Sequence, residues 1–226
     1  MERSQEKATP PAATDHSPHY TYENWRTNPD PPHQPLYLEI VLRYLRADPS
    51  IRRVLDAGCG NGSFTASIAE AGFDLYGVDL SSSGIEVARE THPGVHFERA
   101  SVYDDFTNLF PGVSTFDAIV SVEVIEHLYS PRDFVRRAHE ALRPGGLFVV
   151  TTPYWGYLKN IALALTNRID QALGPLWDGG HIKHWSRKTL ASLLLEQPFE
   201  MVGFTGAGRP VPGLWNGMVM AVRKRK

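Results

Sequence analysis

Cysteine is almost absent from this chain, with Cys59 alone among 226 residues. An internal disulfide is therefore excluded, as is a cysteine-rich zinc site, and a reducing, cytoplasmic setting is expected. Long apolar runs are missing too, and none approaches the roughly 18 residues that a membrane-spanning helix needs. Residues 1–18 are polar and contain Pro without an apolar stretch, so they do not form a signal peptide. Neither sign of charge is in excess, with 23 Lys and Arg against 25 Asp and Glu. That balance supplies no broad cationic field for nucleic acid, and the basic run at 223–226 has the character of a solvated tail.

What is present suffices for one buried core, since 42% of the residues are hydrophobic, and a single domain follows from the length. Residues 1–19 lack periodicity and are expected to be a disordered tail, leaving a domain over 20–226. Tyr20, Tyr22 and Trp25 precede a stretch with Pro29, Pro31, Pro32 and Pro35, which forbids helix until Leu36. Leu38, Val41, Leu42 and Leu45 then recur at helical spacing up to Pro49. Short apolar runs at 53–56, 75–79, 95–99, 118–122 and 147–152 have the pattern of buried parallel strands. Helical segments at 63–71, 82–91 and 130–142 alternate with them. Near the end, a helix at 188–196 leads to strands at 201–205 and 218–222, joined by a Gly/Pro-rich loop. The fold class is α/β: a mostly parallel sheet covered by helices on both faces, ending in an antiparallel hairpin strand. Such sheets bind ligands at the carboxyl ends of their strands.

The first strand runs into Asp56-Ala57-Gly58-Cys59-Gly60-Asn61-Gly62. Glycines at alternate positions permit a sharp turn into a helix and close approach of a ligand, with amide N–H groups presented at the helix start. The spacing is Gly-x-Gly-x-Gly preceded by an acid, whereas dinucleotide sites use Gly-x-Gly-x-x-Gly. A carboxylate at Asp56 repels a pyrophosphate but suits the cationic amino-acid end of S-adenosylmethionine. Asp79 ends the second strand, where its carboxylate can accept the ribose hydroxyls; its alternative role is to cap the helix that follows. Ser101, Val102 and Tyr103 follow the third strand, at the place for an adenine edge or for plain core packing.

Together with Glu123 to His127 and the Leu-Arg-Pro-Gly-Gly run from Leu142, these motifs resemble the successive motifs of class I S-adenosylmethionine-dependent methyltransferases. Within that superfamily the chain is most similar to the small-molecule O-methyltransferases of the ubiquinone-biosynthesis type. The resemblance implies a Rossmann-like, seven-stranded sheet, S-adenosylmethionine as donor and methyl transfer to a small-molecule acceptor. It carries donor contacts onto Asp56, Gly58, Cys59, Gly60, Asp79, Leu80, Ser101, Val102 and Val122.

Glu123, Glu126 and His127 stand at i, i+3 and i+4, so one helical turn puts all three on one face. Two carboxylates and an imidazole suit a divalent cation such as Mg²⁺, Mn²⁺ or Zn²⁺. The segment also resembles the metal-dependent small-RNA 3′-end 2′-O-methyltransferases, which pair Glu-x-x-Glu-His with a later His four residues before a Trp. On that match His181 is the fourth ligand, with His184 as the alternative. Without a metal, Glu123 orients substrate or donor, and His127 or His181 serves as general base. The segment at about 153–180, with Tyr154, Trp155, Tyr157 and an apolar, helical 160–173, is expected to be a lid over the acceptor or an ordinary helix completing the fold. Its weak basic character gives no support to membrane contact. The leading expectation is methylation of a phenolic, catecholic or quinol-like hydroxyl. Methylation of an RNA end or of a nitrogen is the alternative, with the balanced charge against RNA, and a donor-binding protein without catalysis is disfavoured by the full set of site residues.

Overall fold

The computed structural model of the protein describes residues 34–176 and 180–226. The tail expected at 1–19, the aromatics Tyr20, Tyr22 and Trp25, and Gly179 lie outside the described residues. Seven strands form one sheet: β1 (Arg53–Ala57), β2 (Asp74–Asp79), β3 (His96–Arg99), β4 (Phe116–Val122), β5 (Leu142–Pro153), β6 (Phe199–Ala207) and β7 (Gly217–Lys224). Their order is β3-β2-β1-β4-β5-β7-β6. The first five pair in parallel, and β7 runs antiparallel to both β5 and β6. The antiparallel strand of the expected hairpin therefore stands one place in from the edge, which belongs to β6.

The helices are α1 (Gln34–Arg46), α2 (Ser63–Glu70), α3 (Ser82–Thr91), α4 (Pro131–Ala141), α5 (Tyr157–Leu165), α6 (Ile169–Leu173) and α7 (Arg187–Leu194). The period-2 alternation of the central strands sorts their side chains between two cores. Val54, Ala118, Val120, Leu147, Val149, Val219 and Ala221 pack with Tyr37, Ile40, Val41 and Leu45 of α1 and Phe64 and Ile68 of α2. Leu55, Ile119, Phe148, Val150, Met218, Met220 and Val222 face the other way, onto Phe134, Val135 and Ala138 of α4 and Leu190, Leu193 and Leu194 of α7. Both faces of the sheet are thus covered, as parallel strands without polar alternation require.

Several boundaries differ from the sequence reading; β6, for one, covers Phe199–Ala207 instead of 201–205. Helix α1 starts at Gln34, before Leu36, because Pro35 falls in the first turn, where its missing N–H has no helical partner to lose. Strand β5 begins at Leu142 instead of 147, since Leu142 already pairs with Phe116 and a register irregularity absorbs the Pro-Gly-Gly run. The expected helix at 160–173 is two helices, α5 and α6, interrupted where Asn167 takes φ 53°. Neither has a buried side chain, so both lie on the core instead of completing it.

Strand order reverses between β1 and β4, whose neighbours β2 and β5 lie on opposite sides. A crevice at the carboxyl ends of strands on either side of such a reversal is the binding place in this architecture. Asp56, Asp79 and Glu123 all stand there. Among the described residues no helix is long and apolar enough to cross a membrane.

Candidate active site

The loop after β1 is held in left-handed conformations that glycine alone adopts freely, with φ 90° at Gly58 and 80° at Gly62. A Cβ at Gly62 would also lie 2.6 Å from Phe97 Cζ. Five amides of this loop, those of residues 58, 59, 60, 62 and 63, are bonded within the fold. Gly58 and Cys59 donate to Val78 O (2.8 and 3.0 Å), Gly62 donates to Cys59 O (2.9 Å), and Ser63 donates to Asn61 Oδ1 (3.2 Å). The Gly60 N–H goes to Asp79 Oδ2 at 3.0 Å. What the loop brings to the crevice is its shape and the two acids.

Asp56 is fully buried. Thr65 Oγ1 donates to its Oδ2 at 2.7 Å, and its Oδ1 has no hydrogen-bond partner. Burial lifts its pKa from 3.8 to about 7, the Thr65 bond opposes the rise, and Asp79 adds to it. Asp79 accepts from Gly60 N–H and Ser81 N–H, and burial raises its pKa as well. It is not the helix cap: Ser81 takes that position, accepting from Gly84 N–H. Two neighbouring acids, one with an unsatisfied buried oxygen, are stabilised by a ligand that brings positive charge and hydroxyl donors.

The other donor candidates divide between crevice and scaffold. Cys59 places its side chain among Ile85, Ala88 and Phe97, so only its backbone belongs to the loop's inner surface. Leu80 is exposed directly after Asp79. Ser101 turns the chain after β3, its N–H donating to Asp104 Oδ2 and its Oγ accepting from Tyr103 N–H. Val102 and Val122 are partly buried against the two main cores.

On the acceptor side, Glu123 breaks the expected face. It takes φ 57°, a strained value for a residue with a Cβ and one that clusters at functional sites. Only then does the chain form a 3₁₀ turn, Ile125–His127. The turn separates Glu123 from Glu126 and His127. Thr151 Oγ1 accepts the Glu123 N–H at 3.1 Å and donates to Glu123 Oε1 at 3.0 Å, while Tyr37 of α1 hydrogen-bonds the same carboxylate. Burial lifts the Glu123 pKa to about 7, against the pull of Thr151, Tyr37 and the Lys159 charge.

Glu126, His127 and His181 do converge, with one ligand atom from each within 4.8 Å of the others. Three of the four expected ligands thus meet; Glu123 lies outside this group, its carboxylate bonded by Thr151 and Tyr37, while its charge still raises the Glu126 pKa. His184 is also outside the group, its ring against Trp155 at 4.5 Å. Glu126 is 1% exposed; its Oε2 accepts from Thr152 Oγ1 at 3.0 Å, and its Oε1 is buried without a hydrogen bond, 3.9 Å from His181 Nε2. The rings of His127 and His181 meet edge-on at 4.9 Å. Burial, then the neighbouring imidazoles, lower the His181 pKa to about 4, which keeps this imidazole neutral near pH 7.

His181 comes from a distant segment that backbone bonds fasten in place. The N–H groups of Ile182 and Lys183 both donate to Glu126 O, at 3.0 and 2.9 Å, and Trp155 N–H donates to Trp185 O at 2.8 Å. Three residues of this site were missed in the sequence: Tyr37, Thr151 and Thr152. The two threonines left a signal, as paired hydroxyls at the end of an otherwise apolar strand.

Residues 32–203, more than half of the chain, match the protein family described as "Methyltransferase domain". The chain belongs to this methyltransferase family. It is 30% identical over 174 residues to the ubiquinone biosynthesis O-methyltransferase of Caulobacter sp. (strain K31), a match covering 73% of this chain and 66% of that protein. The enzyme of the same name from Ruegeria pomeroyi is 31% identical over 105 residues, 44% of this chain. That match spans 40% of the relative's length. Among solved structures, magnesium protoporphyrin IX methyltransferase from Synechocystis PCC 6803 with bound SAH has a TM-score of 0.63 at 17% identity, covering 93% of this chain and 90% of that one. The seven-stranded sheet of the class I methyltransferases is thus present in full. Chemistry has to be argued from the site, since one fold serves many reactions.

Proposed function

We propose that this methyltransferase domain transfers the methyl group of S-adenosylmethionine to a hydroxyl of a small phenolic, catecholic or quinol-like acceptor, aided by a divalent cation. The observation that carries the reading is the buried Glu126 Oε1, without a hydrogen bond, facing the imidazole of His127 and the neutral imidazole of His181. An orphaned buried carboxylate oxygen is costly unless a ligand completes it. Two nitrogens and one oxygen form a donor set for Zn²⁺, Mn²⁺ or Fe²⁺, and three protein ligands leave a position open, as in catalytic metal sites.

Asp56 Oδ1 would take the donor's ammonium group, and Asp79 its ribose hydroxyls. When bound, the donor supplies a methyl group on a positively charged sulfur. The protein's share is then alignment of the acceptor oxygen with that methyl and removal of the hydroxyl proton. A cation at Glu126, His127 and His181 would lower the acceptor's pKa. Without the cation, His127 or the unprotonated His181 would take the proton directly, and Glu123, whose pKa burial lifts to about 7, would orient the acceptor. Helices α5 and α6 would serve as the lid that excludes water. The relatives named for ubiquinone biosynthesis O-methylation support the choice of oxygen as nucleophile.

The test is methyl transfer from labelled S-adenosylmethionine to a panel of catechols, phenols and amines, before and after removal of metal with a chelator. Transfer to catechols that stops on metal removal and returns with Zn²⁺ or Mn²⁺ is the expected result. Transfer to amines alone, or transfer indifferent to the chelator, would overturn the metal-assisted O-methylation.

A further inference from the structure

A cavity of about 250 Å³ lies between the lid helices α5 and α6 and the loop joining β6 to β7. Its size falls just below the range of about 300–1,000 Å³ for sites that engulf a drug-sized ligand, so it suits a small molecule or one end of a larger one. Ala162, Leu163, Ala172 and Leu214 make the wall apolar. Lys159, Arg168 and Arg209 also line it, and among the described residues no acid does.

Half-buried Lys159 and the exposed Arg168 and Arg209 thus gather three cations around one apolar space, with no carboxylate among its described lining residues. Among the described residues none of the three is salt-bridged. Lys159 Nζ donates to two backbone carbonyls, Tyr154 O at 2.7 Å and Asn216 O at 3.3 Å. Arg168 Nε donates to the neutral Gln171 side chain at 3.3 Å. Burial and the Arg209 charge both lower the Lys159 pKa, so the two cations repel each other across the cavity. The floor of the cavity is firm: the loop packs on α5, where a Cβ at Gly213 would come 3.0 Å from Leu158 Cδ1. Lys159 also stands within electrostatic reach of Glu123, which links the cavity to the acceptor side of the candidate site.

We propose that this cavity is a subsite for an anionic group, a carboxylate on a small apolar body, carried by the methyl acceptor. Charged hydrogen bonds from a guanidinium to a carboxylate are strong and directional, and the apolar wall accommodates the attached carbon skeleton. The proposal rests on the methyltransferase reading for the word acceptor. The binding preference itself does not depend on catalysis.

The test is calorimetric titration of the full chain with 4-butylbenzoate and with 4-butylbenzyl alcohol, a neutral probe of the same shape, each with and without S-adenosylhomocysteine. The carboxylate should bind at least ~10-fold more tightly than the alcohol, a difference that one charged hydrogen bond supplies. Arg209→Gln should shrink that preference to about threefold or less and leave the alcohol unchanged, and Arg168→Gln should act in the same direction. Both arginines are exposed at the cavity, so these variants are expected to fold. Equal binding of the two probes, or a preference untouched by both substitutions, would overturn the subsite. Failure of S-adenosylhomocysteine to bind would instead strike the methyltransferase reading, and the preference for the carboxylate would still decide this one.

Discussion

The donor crevice and the acceptor side are built in opposite ways. The groups that hold the Asp56 and Asp79 carboxylates, Thr65, Gly60 and Ser81, come from two consecutive β–loop–α units and lie within 19 residues of the acid they serve. The acceptor side draws on α1, the end of β4, the end of β5 and the 181–185 segment. Thr151 reaches Glu123 across 28 positions, and the tie between Ile182 and Glu126 spans α5 and α6. Local construction survives a change in a distant element, whereas the acceptor side depends on several elements being docked at once. A donor site common to many reactions and an acceptor site that is specific to one fit this division.

The comparison breaks most visibly at Asp79. Its carboxylate pins Gly60 and Ser81 and is the group proposed to take the ribose hydroxyls, so Asp79→Ala should weaken S-adenosylhomocysteine binding by at least ~100-fold, about 2.7 kcal/mol, read by calorimetry. Retention of affinity within ~3-fold would mean that the crevice does not hold the donor through this acid.

A smaller effect separates the two acids by pH. The pKa of Asp56 in the folded protein is raised from 3.8 to about 7, so the folded state holds a proton that the unfolded chain has released. Stability from this group is full below about pH 4 and is lost as pH rises through 7. Donor-free protein should therefore lose about 2 kcal/mol between pH 5.5 and 7.5 relative to Asp56→Asn, with chemical denaturation at both pH values as the measurement. Parallel behaviour of the two proteins would contradict the buried, unsatisfied carboxylate.

The smallest change tests the long-range assembly. Tyr37→Phe removes the hydroxyl that bonds Glu123 while keeping the buried ring, at a cost of about 1 kcal/mol. It should leave S-adenosylhomocysteine affinity within ~2-fold, because the two regions are separately constructed. A large loss of donor binding would show that α1 supports both regions.

Legibility in the sequence follows the same line. The Gly-x-Gly-x-Gly loop and the acids ending β1 and β2 stand in unbroken order beside apolar runs, so their place is fixed by local pattern. So is the β–α alternation, and with it the parallel half of the sheet. The direction of Glu123 was not readable, because a periodic argument assumes a helical turn and the chain instead passes through φ 57° at this residue. Nor was the partnership of Thr151 with Glu123, which arises from the β4–β5 register that sets Val122 beside Thr151. The convergence of His181 on Glu126 was anticipated by resemblance alone; its physical cause is the pair of backbone bonds from Ile182 and Lys183. Nor does any spacing reveal that five amides of the donor loop donate to Val78, Cys59, Asn61 and Asp79.

The most direct test is calorimetric titration of metal-stripped protein, loaded with S-adenosylhomocysteine, with Zn²⁺ and Mn²⁺, for the parent and for Glu126→Gln, His181→Ala and Glu123→Gln. The account predicts about one equivalent bound by the parent, binding abolished in Glu126→Gln and His181→Ala, and binding kept in Glu123→Gln, whose carboxylate belongs to Thr151 and Tyr37. No binding by the parent, or equal loss in all three variants, would contradict it.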